Sequence, residues 1–264
     1  MDIHEGDVID VASDLAGIML YCKKKGLEFN ADHLIDSLKE TVGENGTVLI
    51  RTFNWDFCKG ISFDIKRSVS RVGALGNVAL RRDDFVRTAH PIYSWMVWGK
   101  LTDELIRYDN KSAFGKDTPF DLLYMYNAKQ LSLGNIDGDS CTQLHHSEAV
   151  CEVPYRFDKS YTGEYTDRDG HTDVRTYSMH VRPYNLKVAV HTFHEGDDYR
   201  LVESLGIARK MMYDDTLRCL VFDLHGMQDF IVDDIKNNNG KRMVFIDGKP
   251  GIMHPEIDYS KMEF

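Results

Sequence analysis

Between Val8 and Phe53 the chain sets a short apolar strand, an amphipathic helix and a second apolar strand in succession, and few folds accept that order. Val8-Ile9-Asp10-Val11 follows the turn Glu5-Gly6-Asp7 and reads as a strand, with Ser13 and Asp14 in the loop beyond it. A helix is predicted over residues 30–42, with Asn30 or Asp32 as its cap and Leu34, Ile35 and Leu38 on one face. Glu44-Asn45-Gly46 is a turn signal, and Thr47-Val48-Leu49-Ile50-Arg51-Thr52-Phe53 is the strongest strand in the chain. Strand, helix and strand in this order form a right-handed crossover, because consecutive parallel strands need a covering connection.

The remainder extends that plan. Val72 to Ala79 has helical spacing, and an extended stretch from Arg87 to Pro91 leads into Trp95-Met96-Val97-Trp98-Gly99. Pro119 opens a helix, where its missing N–H costs little. Lys129 to Leu133 reads as a strand, and residues 155–192 turn to short alternating runs rich in Tyr, Thr and Arg, the pattern of antiparallel β structure. Phe193 to Met212 and Leu217 to Lys236 have helical periodicity. The expectation is one α/β domain over residues 1–264, a mainly parallel central sheet flanked by helices, with a β-rich insertion at 155–192.

Charge narrows the partners. The formal net charge is −10, which opposes nucleic-acid binding, since that needs a basic face to neutralise phosphates. Cys22, Cys58, Cys141, Cys151 and Cys219 are scattered without metal-finger or disulfide-framework spacing, which suits reduced thiols in a cytoplasmic setting. The first residues are acidic and lack a signal-peptide profile, and no apolar run reaches membrane-spanning length. A soluble cytoplasmic protein without a membrane partner is expected, and a homodimer is left open.

Thr142-Gln143-Leu144-His145-His146-Ser147-Glu148 is the first candidate for chemistry. On a helix His145 and Glu148 share a face, so the carboxylate can orient the imidazole as a general base. The same spacing also occurs in plain surface ion pairs. His145, His146 and Glu148 are potential zinc ligands, but adjacent histidines leave a helix on different faces and no His-Glu-Xaa-Xaa-His pattern exists, so no metal is assigned. His90-Pro91-Ile92-Tyr93-Ser94 places an imidazole, a phenol and a hydroxyl at a strand entrance; His90 equally suits a buried structural role. Asn54-Trp55-Asp56 follows the best strand, beyond whose carboxyl end ligands bind in parallel sheets. Asp56 can hold a substrate ammonium there, or remain a solvated loop acid. Ser68-Val69-Ser70-Arg71-Val72-Gly73-Ala74-Leu75 offers hydroxyls, a basic residue and N–H groups at a helix start, where a serine also serves as a plain cap.

In order, these segments resemble the aminoglycoside 3-N-acetyltransferase (antibiotic N-acetyltransferase) family across most of the chain. The resemblance runs through Val11-Ala12-Ser13-Asp14-Leu15, Val42-Gly43-Glu44-Asn45-Gly46-Thr47, Val72-Gly73-Ala74-Leu75, His90-Pro91-Ile92-Tyr93-Ser94, Phe114-Gly115-Lys116-Asp117-Thr118-Pro119, Leu144-His145-His146-Ser147-Glu148 and Val153-Pro154-Tyr155-Arg156. It implies an acetyl-CoA or other acyl-CoA donor and a fold distinct from the split-sheet acyltransferases. It makes His145 the catalytic histidine and Glu148 its partner. It places Ser13, Asp14, Ser70, Gly73, Ala74, His90, Ser94, Phe114 and Gly115 in donor-binding and active-site loops, and Asn54, Trp55, Asp56, Tyr93 and Arg156 toward the acceptor. Ala12 and Asp14 stand where the family usually has a histidine and a serine, and Tyr93 where resistance enzymes usually carry a second histidine. The loop Asn54-Trp55-Asp56-Phe57-Cys58-Lys59-Gly60 looks more like relatives that act on amino sugars for cell-surface polysaccharides. The expectation is therefore transfer of an acetyl or hydroxyacyl group to a nucleotide-linked amino-dideoxy sugar, with Arg81, Arg82, Arg87, Arg156, Arg175 and Arg182 available for its diphosphate. An aminoglycoside acceptor, acetylated in antibiotic resistance, is the alternative.

Overall fold

A computed structural model describes residues 2–134, 141–190, 193, 196–214 and 217–264. Strand β1 (Val8–Ser13) is followed by α1 (Leu15–Lys25), α2 (Ala31–Val42) and β2 (Thr47–Arg51). The two strands pair in parallel from Val8↔Thr47 to Val11↔Ile50, and α2 buries Ile35, Leu38 and Val42. Asn30 caps α2, its side-chain oxygen accepting from the N–H groups of Asp32 (2.8 Å) and His33 (3.2 Å). The predicted crossover is present, with one element more than expected. The segment after Asp14 is helix α1, because Asp14 accepts from Gly17 N and Gly26 closes the last turn in the left-handed region. Only Leu15 of α1 is buried, so no apolar stripe betrayed it.

Next come β3 (Phe63–Asp64), α3 (Ala74–Ala79), β4 (Val86–Arg87), β5 (Trp95–Gly99), α4 (Thr102–Leu105), α5 (Pro119–Met125), β6 (Lys129–Leu133) and α6 (Gln143–Val150). A hairpin of β7 (Phe157–Thr166) and β8 (Thr172–Val181) leads to β9 (Val188–Val190), α7 (Gly196–Ser204), β10 (Ala208–Met212), β11 (Arg218–Asp223), α8 (Leu224–Asn238), β12 (Val244–Ile246) and β13 (Lys249–Pro250).

The large sheet has the order β10-β11-β6-β1-β2-β5-β4. Only β6-β1 and β1-β2 pair in parallel; the other junctions are antiparallel. The expectation of a mainly parallel sheet is thus corrected to a mixed sheet flanked by helices. Its antiparallel junctions come from β5 and β4 at one end and from β10 and β11 at the other, and the latter two lie within the stretches read as helical. β11 is a short apolar run buried on both faces, and β10 carries Arg209 and Lys210 side by side without apolar–polar alternation, so neither showed the pattern of a half-buried strand. Residues 194–195 of the first stretch lie outside the described residues.

One sheet face packs Ile9, Val11 and Ile50 in the cluster with α2 and α3, and the other sets Leu49, Phe53 and Trp95 in the cluster that holds Phe120 of α5, Leu144 of α6 and Leu224 of α8. On that second face Asp10 and Arg51 form a buried ion pair of 2.5 Å. Trp95 Nε1 donates to Asp10 (2.9 Å), and Arg51 also donates to Gln130 (2.8 Å) and Thr142 (3.4 Å). The carboxyl end of β2 is thereby tied to the start of α6.

Within residues 155–192, β7 and β8 pair from Phe157↔Val181 to Thr166↔Thr172 in a small sheet with β3. β9 pairs instead with β12, and residues 191–192 lie outside the described residues.

Candidate active site

Helix α6 carries the predicted pair. His145 Nδ1 lies 2.9 Å from Glu148 Oε2, with 29% of the imidazole side chain exposed and none of the carboxylate. A buried carboxylate needs partners, and Glu148 has three. Tyr155 donates to Oε1 at 2.7 Å, Arg156 Nε stands 2.7 Å from Oε2, and His145 is the third. Burial by itself raises the Glu148 carboxyl, but Arg156, His145 and Tyr155 outweigh it and bring it down to about 2. An ionised acceptor beside Nδ1 selects the tautomer with the proton there, leaving Nε2 with the free lone pair. Burial lowers the imidazole from its ordinary value of 6.5, and Arg156 and Arg182 add to that while Glu148 opposes it. The result is a neutral imidazole at neutral pH, oriented by Glu148 and partly exposed. Such a group can take a proton from an attacking nucleophile.

Arg156 departs from its expected place at the acceptor. Its side chain is 3% exposed, and besides Glu148 it contacts His145 Nδ1 (3.1 Å) and donates to the carbonyl of His180 (3.2 Å). It steadies the dyad rather than presenting a free charge. Tyr155 and His146 belong to the site although sequence reasoning gave them no role. His146 is fully buried and neutral, pushed down to about 4 by burial, and its Nδ1 accepts from Gly115 N at 3.2 Å. That bond fixes the loop in which Phe114 stacks edge-on against His145, with ring centroids 5.7 Å apart. Adjacent histidines thus serve opposite sides of α6, as expected for a helix.

Phe114 continues into a ring cluster with Tyr93 (4.9 Å), which meets Phe53 (5.0 Å) and Trp55 (6.1 Å). Tyr93 and Trp55 therefore sit on the His145 side of the molecule. Burial pushes the Tyr93 phenol up to about 12, so it stays neutral.

The remaining predicted residues divide. Ser13, Ser70, Gly73 and Ala74 gather where β1 and β2 end. A Cβ on Gly73, whose φ is 103°, would stand 3.0 Å from the Ser13 carbonyl, and one on Gly76 would meet Arg51 O and Ser70 Oγ. Asp14 is adjacent but committed to capping α1. His90 is buried, its Nδ1 accepting from Ile92 N (3.3 Å) and Tyr93 N (3.1 Å), which makes it a brace for the turn. Ser94 is wholly buried in a network with Thr52 Oγ1 (3.0 Å) and Arg87 Nε (3.0 Å).

Asn54 and Asp56 are also committed. Asn54 bonds Val69 O (2.8 Å) and Asp56 N (2.7 Å), and Asp56 is gripped by Arg71 through Nε (3.0 Å) and Nη2 (2.6 Å). A cavity of about 180 Å³ lies between this loop and Ser68-Val69, lined also by Phe57, Ile61 and Phe63. Cys141, near His145 in sequence, is buried, and burial pushes its thiol up to about 11. It is a poor nucleophile at neutral pH.

The family model described as aminoglycoside 3-N-acetyltransferase matches residues 22–234. Aminoglycoside N(3)-acetyltransferase III of Acinetobacter baumannii is 25% identical over 198 residues, covering 67% of this chain and 66% of that protein. The chain therefore spans slightly under two thirds of this curated relative. Among solved structures, aminoglycoside acetyltransferase AAC(3)-Xa matches with a TM-score of 0.70 and 21% identity, over 89% of this chain and 88% of that one. The binary complex of AAC-IIIb with CoASH gives 0.69 and 19%, over 96% and 94%. Sisomicin-bound AAC-VIa gives 0.67 and 19%, over 89% and 93%.

These findings overturn the nucleotide-linked sugar as the expected acceptor, since the family model, the curated relative and the AAC(3)-Xa structure are all described as aminoglycoside acetyltransferases. The structure shows why the loop likeness misled. Asn54 and Asp56 hold their own loop together. Five of the six arginines set aside for a diphosphate are engaged: Arg82 with Asp32, Asp36 and Asp84, Arg175 with Asp167 and Asp173, Arg182 with Val188 O, and Arg87 and Arg156 in buried networks. The chain belongs to the aminoglycoside 3-N-acetyltransferase family.

Proposed function

We propose that this protein transfers the acetyl group of acetyl-CoA to an amine of an aminoglycoside, with His145 as general base. The observation that carries this reading is the 2.9 Å contact between His145 and the fully buried Glu148, backed by Tyr155 and Arg156. An aminoglycoside amine is protonated at neutral pH and must lose a proton before it can attack a thioester. His145 Nε2 takes that proton, and Glu148 stabilises the imidazolium that forms while keeping the ring in place. Phe114 and Tyr93 wall the site with apolar surface, which limits water beside the reacting amine.

The residues where β1 and β2 end fit a donor's arm. Gly73 leaves the Ser13 backbone uncovered where a side chain would press on it, and α3 begins at Ala74 without a side-chain cap, so its first N–H groups are free of one. Ser13, Gly73 and Ala74 would hold the acetyl-CoA arm, and Arg51 couples that end of β2 to Thr142 at the start of α6. The donor supplies the activated acyl group. Direct transfer is favoured over a route through Cys141, whose buried thiol stays protonated.

The test is incubation with acetyl-CoA and a panel of aminoglycosides, followed by mass spectrometry. A mass gain of one acetyl group, with equimolar release of free CoA thiol, is the expected result. CoA binding with no acetylated product from any aminoglycoside would refute the reading.

A further inference from the structure

Beyond the His145 dyad, the base of the β7–β8 hairpin carries a second histidine–carboxylate pair. His180 Nδ1 lies 3.0 Å from Asp158 Oδ1, on partnered residues of the two strands. Ser112 Oγ stands 2.6 Å and Ser178 Oγ 3.2 Å from the other oxygen, Asp158 Oδ2. Three groups from two segments, β8 and the loop at Ser112, thus fix one carboxylate, yet its side chain remains 41% exposed while that of His180 is only 9% exposed. An isolated surface aspartate has no need of such support. His180 Nε2 is buried with no hydrogen-bond partner among the described residues. With its proton on Nδ1 toward Asp158, that nitrogen is an unfilled acceptor.

Two independent connections join this pair to the dyad on α6. Arg156, two residues before Asp158, contacts both His145 Nδ1 and Glu148 and donates to the carbonyl of His180. Ser112 Oγ also lies 2.8 Å from the carbonyl of Phe114, whose ring packs on His145. Residues two apart in extended chain are separated by about 7 Å, which is the scale of one sugar ring.

The geometry points to Asp158 as an ammonium-binding carboxylate of the acceptor subsite, held in place by His180, Ser112 and Ser178. It receives one cationic amine of a polyamine sugar while a different amine of the same molecule faces His145. This deepens the function proposed above and rests on it. Asp158 lies outside the motifs singled out from the sequence. Its grouping with His180 and Ser112 exists only through strand register.

The experiment compares steady-state kinetics of Asp158→Asn and of Glu164→Gln, an exposed carboxylate further along the same strand, using sisomicin and acetyl-CoA. Asp158→Asn should raise the KM for sisomicin about tenfold or more, the worth of one charged hydrogen bond. The kcat, the KM for acetyl-CoA and the melting temperature should stay nearly fixed, and Glu164→Gln should change nothing. Ser112→Ala keeps the charge and removes one support, and should raise the same KM by a smaller factor. An unchanged sisomicin KM in Asp158→Asn, or an equal rise in Glu164→Gln, overturns the assignment. Absence of acetyl transfer by the unmodified protein to any aminoglycoside would instead remove the underlying function, and this subsite with it.

Discussion

Replacing Glu148 with Gln keeps the side chain's shape and removes its charge, leaving Arg156 in a buried site without a counter-ion. Breaking a buried pair from one side costs about 3–5 kcal/mol. The displacement of the Glu148 carboxyl from 4.5 to about 2 leads to a similar figure, about 3 kcal/mol at neutral pH. For a chain of this length each kcal/mol moves the melting temperature by about 2–4 °C, so Glu148→Gln should melt roughly 10 °C lower at pH 7. The pH dependence has a definite sign. A carboxyl lowered in the folded state stabilises above its unfolded value and loses that contribution as pH falls through its folded value. The gap between the two proteins should therefore be full at pH 7 and shrink between about pH 4.5 and 2. Thermal and urea unfolding across that range measure it, with acetyl transfer recorded in parallel. A gap below about 1 kcal/mol at pH 7, or one that does not change with acid, would refute the picture of Glu148 as an ionised hub.

Three further outcomes follow from the same geometry. Because burial and Arg156 lower the His145 imidazole, the acid limb of the kcat/KM profile should fall below the ordinary 6.5; an inflection above 6.5 in a pH–rate titration would contradict that environment. Cys141→Ala should leave turnover nearly intact, and neutral-pH alkylation should spare this buried thiol, as peptide mapping would show. Gly73→Ala forces a side chain into a left-handed backbone and to within 3.0 Å of the Ser13 carbonyl; it should destabilise by about 1 kcal/mol or more and raise the KM for acetyl-CoA well above that for the acceptor.

What was legible in the sequence was what depends on short range. His145 and Glu148 meet because three residues make nearly one helical turn, and the β1–α2–β2 crossover follows from periodicity and Asn30. The errors share a different cause. Asp56 looked free because Arg71, which grips it, is distant in sequence, and Arg156 looked available because its target lies back on α6. β11 was hidden because full burial erases alternation, β10 because its residues do not alternate, and α1 because an exposed helix needs no stripe. The loop 54–60 pointed to the wrong acceptor because its polar residues serve the loop itself. Sequence pattern reports which groups are present, and only tertiary contact decides which remain free to bind.

The most direct test is single-turnover acetyl transfer to an aminoglycoside by the unmodified protein and by His145→Ala, with CoA affinity measured on both. His145→Ala should bind CoA as tightly as before and transfer acetyl about 10²–10⁴-fold more slowly. Transfer at an undiminished rate would show that the proton leaves the amine by another route, and that the imidazole on α6 is not the base.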